Sequence, residues 1–366
     1  MATAELTLQA QQMLASLARS PRFAGSEAEA RARVTAREDL QRSGLACEEI
    51  GFDYSAWPGK WGPPAAAAAQ LMTVLLVART ARGGEPALAV GLGVAVLVLL
   101  AIVSRDARRR WTSVFPMMRS RSANLQASRG QPTLWLAAHI DSKSQTVPML
   151  FRIVASALLS ALTFVTLAAA VLQTVGVEGV RSYWLVMSLA AGIAALPSLL
   201  CVVRNDSTGA ADNASGVAAV LLAVRQLPRD KAVGVLITSA EELGLAGARD
   251  WAARARADTR VVNCDTIDDG GIWLCMHTGR KPALSSLVET TARRSGFNLL
   301  TRRLIPGILA DSVAFADRGI QAVTISRGSL ATLARIHTRG DTSSALTGSG
   351  IADASVLLAA LIMELG

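Results

Sequence analysis

Apolar positions along this chain follow three rhythms. At residues 6–17 and 28–42 they recur with helical spacing, on either side of Ser20-Pro21-Arg22-Phe23-Ala24-Gly25-Ser26. Ser26 is placed to cap the second helix, with Glu27 and Glu29 in its first turn, where carboxylates meet unpaired backbone N–H groups. Gly44 closes that helix, and residues 49–55 read as a strand. Strand patterns at 111–115, 122–127 and 133–138 follow. Beyond Asn205, helices predicted at 216–226, 243–254, 282–295 and 350–365 are interleaved with strands at 232–238, 260–265, 271–276 and 321–326. Strands alternating with helices predict an α/β fold with a mixed, largely parallel sheet and helices on both faces.

The third rhythm has no polar face. Residues 63–78 are rich in Ala and contain Gln70, and 86–103 carry no charge over eighteen positions. Residues 153–177 and 182–203 are uncharged for twenty-five and twenty-two positions. About twenty apolar residues make a helix long enough for the hydrocarbon core of a bilayer. The segments come in pairs, so each pair returns the chain to the side it left. The α/β pattern is also coherent once both pairs are removed. The expectation is two inserted transmembrane hairpins, at 61–104 and 147–204, in a soluble domain formed by 1–60, 105–146 and 205–366.

Composition agrees with this division. Of 366 residues, 51% are hydrophobic and only 18% charged, and the apolar excess is concentrated in those four segments. The net charge of +9 is carried mainly by Arg, but aromatic content is 4% and no basic run is interleaved with aromatics. Nucleic acid is therefore not an expected partner. The clearest basic cluster, Arg105 to Arg110, directly follows an apolar run, which suits a membrane flank. On the soluble-domain side the spans are flanked by Lys60, Arg105, Arg108, Arg109, Arg110, Lys143, Arg152 and Arg204. The opposite loops carry Arg79, Arg82 and Arg181. By the positive-inside rule the soluble domain lies in the cytoplasm, anchored to an inner or plasma membrane with the lipid bilayer as a partner. The first thirty residues are mixed polar and charged, so no signal peptide is read there. Cys47, Cys201, Cys264 and Cys275 show no C-x-x-C spacing and read as separate buried thiols, although Cys264 and Cys275 lie on neighbouring strand-like segments that could approach each other.

Candidate chemistry sits where apolar strands end. His139-Ile140-Asp141 closes one strand, Glu241-Glu242 follows another, and Asp265 ends a third. Asp212 lies in Gly209-Ala210-Ala211-Asp212-Asn213-Ala214-Ser215-Gly216, ahead of a helix, and His337 in Ile336-His337-Thr338-Arg339-Gly340-Asp341-Thr342. Open α/β sheets place their sites at the carboxyl ends of strands. His, Asp and Glu are zinc ligands, and adjacent carboxylates repel unless a cation or shared proton compensates. Each residue alone has a bland reading: a structural strand-end histidine, a helix cap, a solvated helix N-terminus. Together they present oxygen and imidazole donors in an order that builds one site.

On these residues the chain resembles the co-catalytic zinc aminopeptidases of metallopeptidase family 28, over 22–55, 122–141 and 209 to the C-terminus. Asp311-Ser312-Val313-Ala314-Phe315, before Gly319-Ile320, extends the resemblance. It implies a zinc exopeptidase-like fold and two zinc ions per chain. His139 and Asp265 would hold one ion, Glu242 and His337 the other, and Asp212 would bridge them. Glu241 would be the general base, and Asp141 would orient His139. The implied activity is hydrolysis of N-terminal peptide bonds in peptides with a free N-terminus. Two features depart from the pattern. The H-x-D and D-N-A-S-G motifs, normally separated by a short loop, stand 73 positions apart, and neither Tyr54 nor Tyr183 lies between Asp265 and His337 to stabilise an oxyanion. His277 reads as a strand or loop residue rather than a ligand. Two other readings are a glutaminyl-cyclase-like transferase and a non-catalytic receptor or scaffold on a peptidase fold. Relatives of the first bind one zinc, so His139 with Asp141 argues against it. The complete ligand set argues against the second.

Overall fold

The computed structural model describes residues 2–106, 116–304 and 308–365. The strand expected at 111–115 lies outside them, and so do the side chains of the Arg105–Arg110 cluster. The chain forms two compact units, one of Met1–Ala56, Pro116–Ser144 and Arg204–Gly366, the other of Trp57–Phe115 and Gln145–Val203.

The first unit is built on an eight-stranded sheet. Its strands are β1 (Ala46–Ser55), β2 (Arg119–Arg129), β3 (Leu134–His139), β4 (Val233–Thr238), β5 (Arg260–Ile267), β6 (Ile272–His277), β7 (Leu299–Arg303) and β8 (Gln321–Gly328). They lie in the order β1-β2-β4-β3-β5-β8-β6-β7. The central strands β4, β3, β5 and β8 run parallel. β2 joins β4 antiparallel on one side, and β6 joins β8 antiparallel on the other. This is the mixed, largely parallel sheet that the alternating pattern predicts.

A parallel strand covered on both faces needs apolar residues throughout. β4, with the sequence Val-Gly-Val-Leu-Ile-Thr, is buried at every position. Gly234 is required there because the Trp135 indole on β3 would lie 2.3 Å from a Cβ. Trp135, Trp251 and Phe315 stack edge to face, with centroids 5.2 and 5.6 Å apart, in a core shared with Ala137, Leu236 and Val261. Helix Ser215–Arg225 is buried along nearly its whole length. Ser26 caps helix Glu27–Arg42, its hydroxyl accepting from the Glu29 N–H at 3.2 Å.

Three expectations change in this unit. The helix expected at 243–254 begins only at Ala246, because Ala240, Gly244 and Leu245 turn the chain through positive φ first. Strand β7 and helices Asp311–Ala316 and Leu330–Arg335 are additional elements. Cys264 and Cys275 are not on adjacent strands, since β8 separates β5 from β6, and both are free buried thiols.

The second unit is helical. Four segments, Trp57–Arg82, Pro86–Val103, Met149–Thr174 and Gly179–Leu199, are long and apolar enough to cross a membrane. Their outward faces carry Phe151, Phe164, Leu189 and Ile193, all mostly exposed. Inside, contacts are made through small residues: a side chain on Gly93 would meet Leu167 and Val77 below 3 Å. The amide of Gln173 donates to the Ala81 carbonyl and accepts from the Trp184 indole N–H, both at 3.0 Å.

Candidate metal centre

Parallel strands aim their carboxyl ends the same way, and β3, β4 and β5 end at the candidate residues. β3 ends in His139. The Ser239-Ala240-Glu241-Glu242 turn follows β4, and Asp265 lies near the end of β5. Asp212 precedes helix Ser215–Arg225, held there by the Asn213 side chain. That amide donates to the Cys264 carbonyl at 2.9 Å and accepts from the N–H groups of Gly216 and Thr266. A Cβ at Gly216 would lie 2.3 Å from both the Asn213 Oδ1 and the Cys264 carbonyl oxygen, so only glycine fits. Ala240, Leu245, Thr266 and His337 all adopt left-handed backbone conformations beside these residues. Non-glycine residues in that region cost about 1–3 kcal/mol each and persist where surrounding structure over-determines them.

Asp212 stands between two imidazoles. Its Oδ1 is 3.1 Å from Nε2 of His139, and its Oδ2 is 2.9 Å from Nε2 of His337. His139 Nε2 also lies 3.6 Å from Asp265 Oδ1, and His337 Nε2 lies 3.0 Å from Glu242 Oε1. Two groups of donor atoms result: His139, Glu241 and Asp265 in one, Asp212, Glu242 and His337 in the other, each within 4.8 Å of one another. The six proposed ligand and base residues are thus brought to one place, and Asp141 lies against the His139 ring.

Asp141 touches the His139 ring and also braces the neighbouring turn. The His139 Nδ1 bonds to the Asp141 backbone carbonyl at 3.1 Å, with the carboxylate at 3.6 Å. That carboxylate also accepts the N–H groups of Glu241 and Glu242, each at 3.2 Å. It pins the turn that carries them.

Electrostatically the site is short of positive charge. Asp141, Asp212, Glu241, Glu242, Asp265 and Asp311 are all buried here, against two imidazoles, Lys143 and the buried Arg22. Burial pushes the Glu241 carboxyl well above its usual range, and likewise Asp265 and, to about 7, Asp311. Burial opposes ionisation of Asp212 and Glu242 too, but the imidazoles outweigh it at Asp212, and His337 with Lys143 brings Glu242 down to about 2. Both imidazoles, although burial disfavours their charge, are pushed up by the surrounding carboxylates. Buried carboxylates in such excess call for a cation.

The residues fit zinc. His337 Nε2 and Glu242 Oε1 are buried and close, yet neither makes a hydrogen bond among the described residues. Donor atoms that crowd together without bonding to each other are arranged as ligands to a shared ion. Two carboxylates with an imidazole in one group, and a like set in the other, match the donors zinc takes.

Three residues that sequence reasoning did not place in the site hold it together. The Asp341 carboxylate accepts the N–H groups of Ala211 at 2.7 Å and Asp212 at 3.2 Å. Arg22, fully buried, donates to the carbonyls of Ile140 at 2.8 Å and Gly209 at 3.0 Å, and also to Thr208, so it ties the His139 loop to the Asp212 loop. Lys143 meets Glu242 Oε2 at 2.7 Å. Arg22 and Asp341 both stand inside quoted motifs, but no spacing rule points from either to its partners. His277 ends β6 away from both donor groups.

The family model of peptidase family M28 matches residues 122–362. No curated protein matches the chain in sequence. Among solved structures the chain resembles the aminopeptidase from Aneurinibacillus sp. strain AM-1, at 15% identity and TM-score 0.57, covering 97% of this chain and 93% of that one. It resembles BSAP, a zinc aminopeptidase from Bacillus subtilis, at 13% identity and TM-score 0.58, covering 98% and 94%. A third similar fold is Porphyromonas gingivalis glutaminyl cyclase, at 14% identity and TM-score 0.57, covering 99% and 100%. With well over half its length matched by the family model, the chain belongs to peptidase family M28.

Proposed function

We propose that this chain is a membrane-anchored zinc aminopeptidase that removes N-terminal residues from peptides. The observation that carries the reading is Asp212, whose two oxygens face one imidazole each. In this reading His139 and Asp265 would hold one zinc and Glu242 and His337 the other, with Asp212 placed to serve both. Bound zinc would supply polarisation of the scissile carbonyl and acidification of a water. Glu241, buried beside the donor groups with its carboxyl raised well above the usual range by desolvation, would accept a proton from the attacking water and pass it to the leaving amine. Asp141 keeps Glu241 and Glu242 in register through their backbone N–H groups. The carboxylates around the site would also receive the free α-amino group of a peptide.

Four apolar segments of spanning length support a bilayer as the second partner. The Lys and Arg distribution around them supports a cytoplasmic catalytic unit and an inner or plasma membrane location.

One observation favours a second reading. Glutaminyl cyclases from Fimbriiglobus ruber and Porphyromonas gingivalis share the fold at TM-scores of 0.54 and 0.57. A panel of aminoacyl amides and peptides with N-terminal Gln separates the two activities. Aminopeptidase activity releases free amino acids from the panel. Ammonia release with loss of the N-terminal amine, and no peptide-bond cleavage, overturns it in favour of cyclisation.

A further inference from the structure

Lys143 is nearly buried, with its side chain 11% exposed, and is committed to Glu242. Its ammonium lies 2.7 Å from Oε2 and donates to the Glu242 backbone carbonyl at 3.3 Å. The other carboxylate oxygen, Oε1, faces His337 at 3.0 Å and makes no hydrogen bond. One carboxylate is therefore divided between a cation of the chain and the space the donor atoms share. An ammonium this close in a buried setting interacts strongly with the carboxylate and with any ion beside it, because little water screens them. It also fixes which oxygen is left to face the metal.

We propose that Lys143 is a positioning residue that clamps Glu242, leaves Oε1 as its single metal-facing oxygen, and weakens the donation of Glu242 to the zinc it holds. The proposal rests on the two-zinc reading above. Two opposed effects follow. The clamp lowers zinc affinity at the Glu242–His337 position through like-charge repulsion. It raises turnover by holding the carboxylate in one pose and keeping the ion beside it electron-poor.

The test uses the full-length chain in detergent as wild type, Lys143→Met and Lys143→Arg. Zinc affinity is read by competition with a chromophoric chelator, and kcat on an aminoacyl amide, with thermal melting alongside. In Lys143→Met one of the two zinc equivalents binds about tenfold more tightly while kcat falls at least about tenfold. Lys143→Arg, which keeps the charge, stays close to wild type in both. A merely structural lysine gives a different signature, with zinc affinity, kcat and melting temperature all falling together, and that overturns the clamp. Unchanged zinc affinity in Lys143→Met overturns it as well. If the wild type takes up no zinc, the functional reading fails and the clamp with it. If the wild type binds zinc and hydrolyses substrate, a negative result in the variants counts against the clamp alone.

Discussion

Asp141 holds Glu241 by its backbone: one carboxylate oxygen accepts the Glu241 N–H at 3.2 Å while the other takes the N–H of Glu242. The turn begins at Ala240 in a left-handed conformation, which local preference does not supply. Asp141→Asn replaces one acceptor with an amide N–H₂ and leaves a buried backbone N–H without a partner. That costs about 1–3 kcal/mol. Calorimetry will show a lowered melting temperature, and kinetics a lower kcat with KM little changed. A variant with wild-type melting and turnover contradicts this use of Asp141.

Glu29 carries a pH dependence that can be isolated. Its carboxyl is fully buried, accepting from the Gly25 N–H at 2.7 Å and from the hydroxyls of Ser122 and Ser239. Burial first, and the Asp141 charge second, raise it from 4.5 to about 7. A carboxyl whose folded value lies above its unfolded value contributes stability below the unfolded value and loses it as pH rises through the folded one. The window runs from about 4.5 to about 7. In metal-free protein, melting temperature therefore falls less between pH 5 and about 7.5 in Glu29→Gln than in wild type. Parallel slopes contradict the assignment.

The aromatic core behind the sheet is a separate stability test. Trp251 packs edge to face on Trp135 and Phe315, and its indole N–H donates to Gln126 at 2.7 Å. Trp251→Ala loses about 3–5 kcal/mol. Urea unfolding of the chain in detergent measures this, and a loss below about 1 kcal/mol contradicts it.

The proposed topology predicts which surfaces an impermeant thiol reagent reaches in intact cells. Cysteine introduced at Arg181, between the third and fourth apolar helices, is labelled from outside. Cysteine at the exposed Arg318 is labelled only after the membrane is opened. The reverse pattern inverts the orientation, and labelling of both in intact cells removes the membrane barrier between them.

Much of this arrangement is legible in the sequence because ligand types sit at the ends of apolar runs. His139 and Asp265 lie at the ends of strands, and Glu241 and Glu242 just beyond one, whose hydrophobicity announces them. What stays hidden depends on pairing across long stretches of chain. Arg22 reaches Gly209, and Asp341 reaches Ala211, contacts that no local pattern encodes. The helix expected from residue 243 starts late because the backbone of Ala240 to Leu245 is bent, with Asp141 from the loop after β3 holding its N–H groups. Strand β7, with Arg302 and Arg303 exposed at its end, lacks the burial that makes strands readable. The relation of Cys264 to Cys275 depends on strand order, and β8 enters between them from far along the chain.

The central claim is that the groups bridged by Asp212 hold two zinc ions with Glu241 as the base beside them. Zinc content and aminoacyl-amide hydrolysis of wild type and Glu241→Gln, measured on the same preparations, test it most directly. The account predicts two zinc ions per chain in both proteins and a loss of hydrolysis of about 10²–10⁴-fold in the variant. Wild-type hydrolysis in Glu241→Gln, or full activity with no zinc bound, contradicts it.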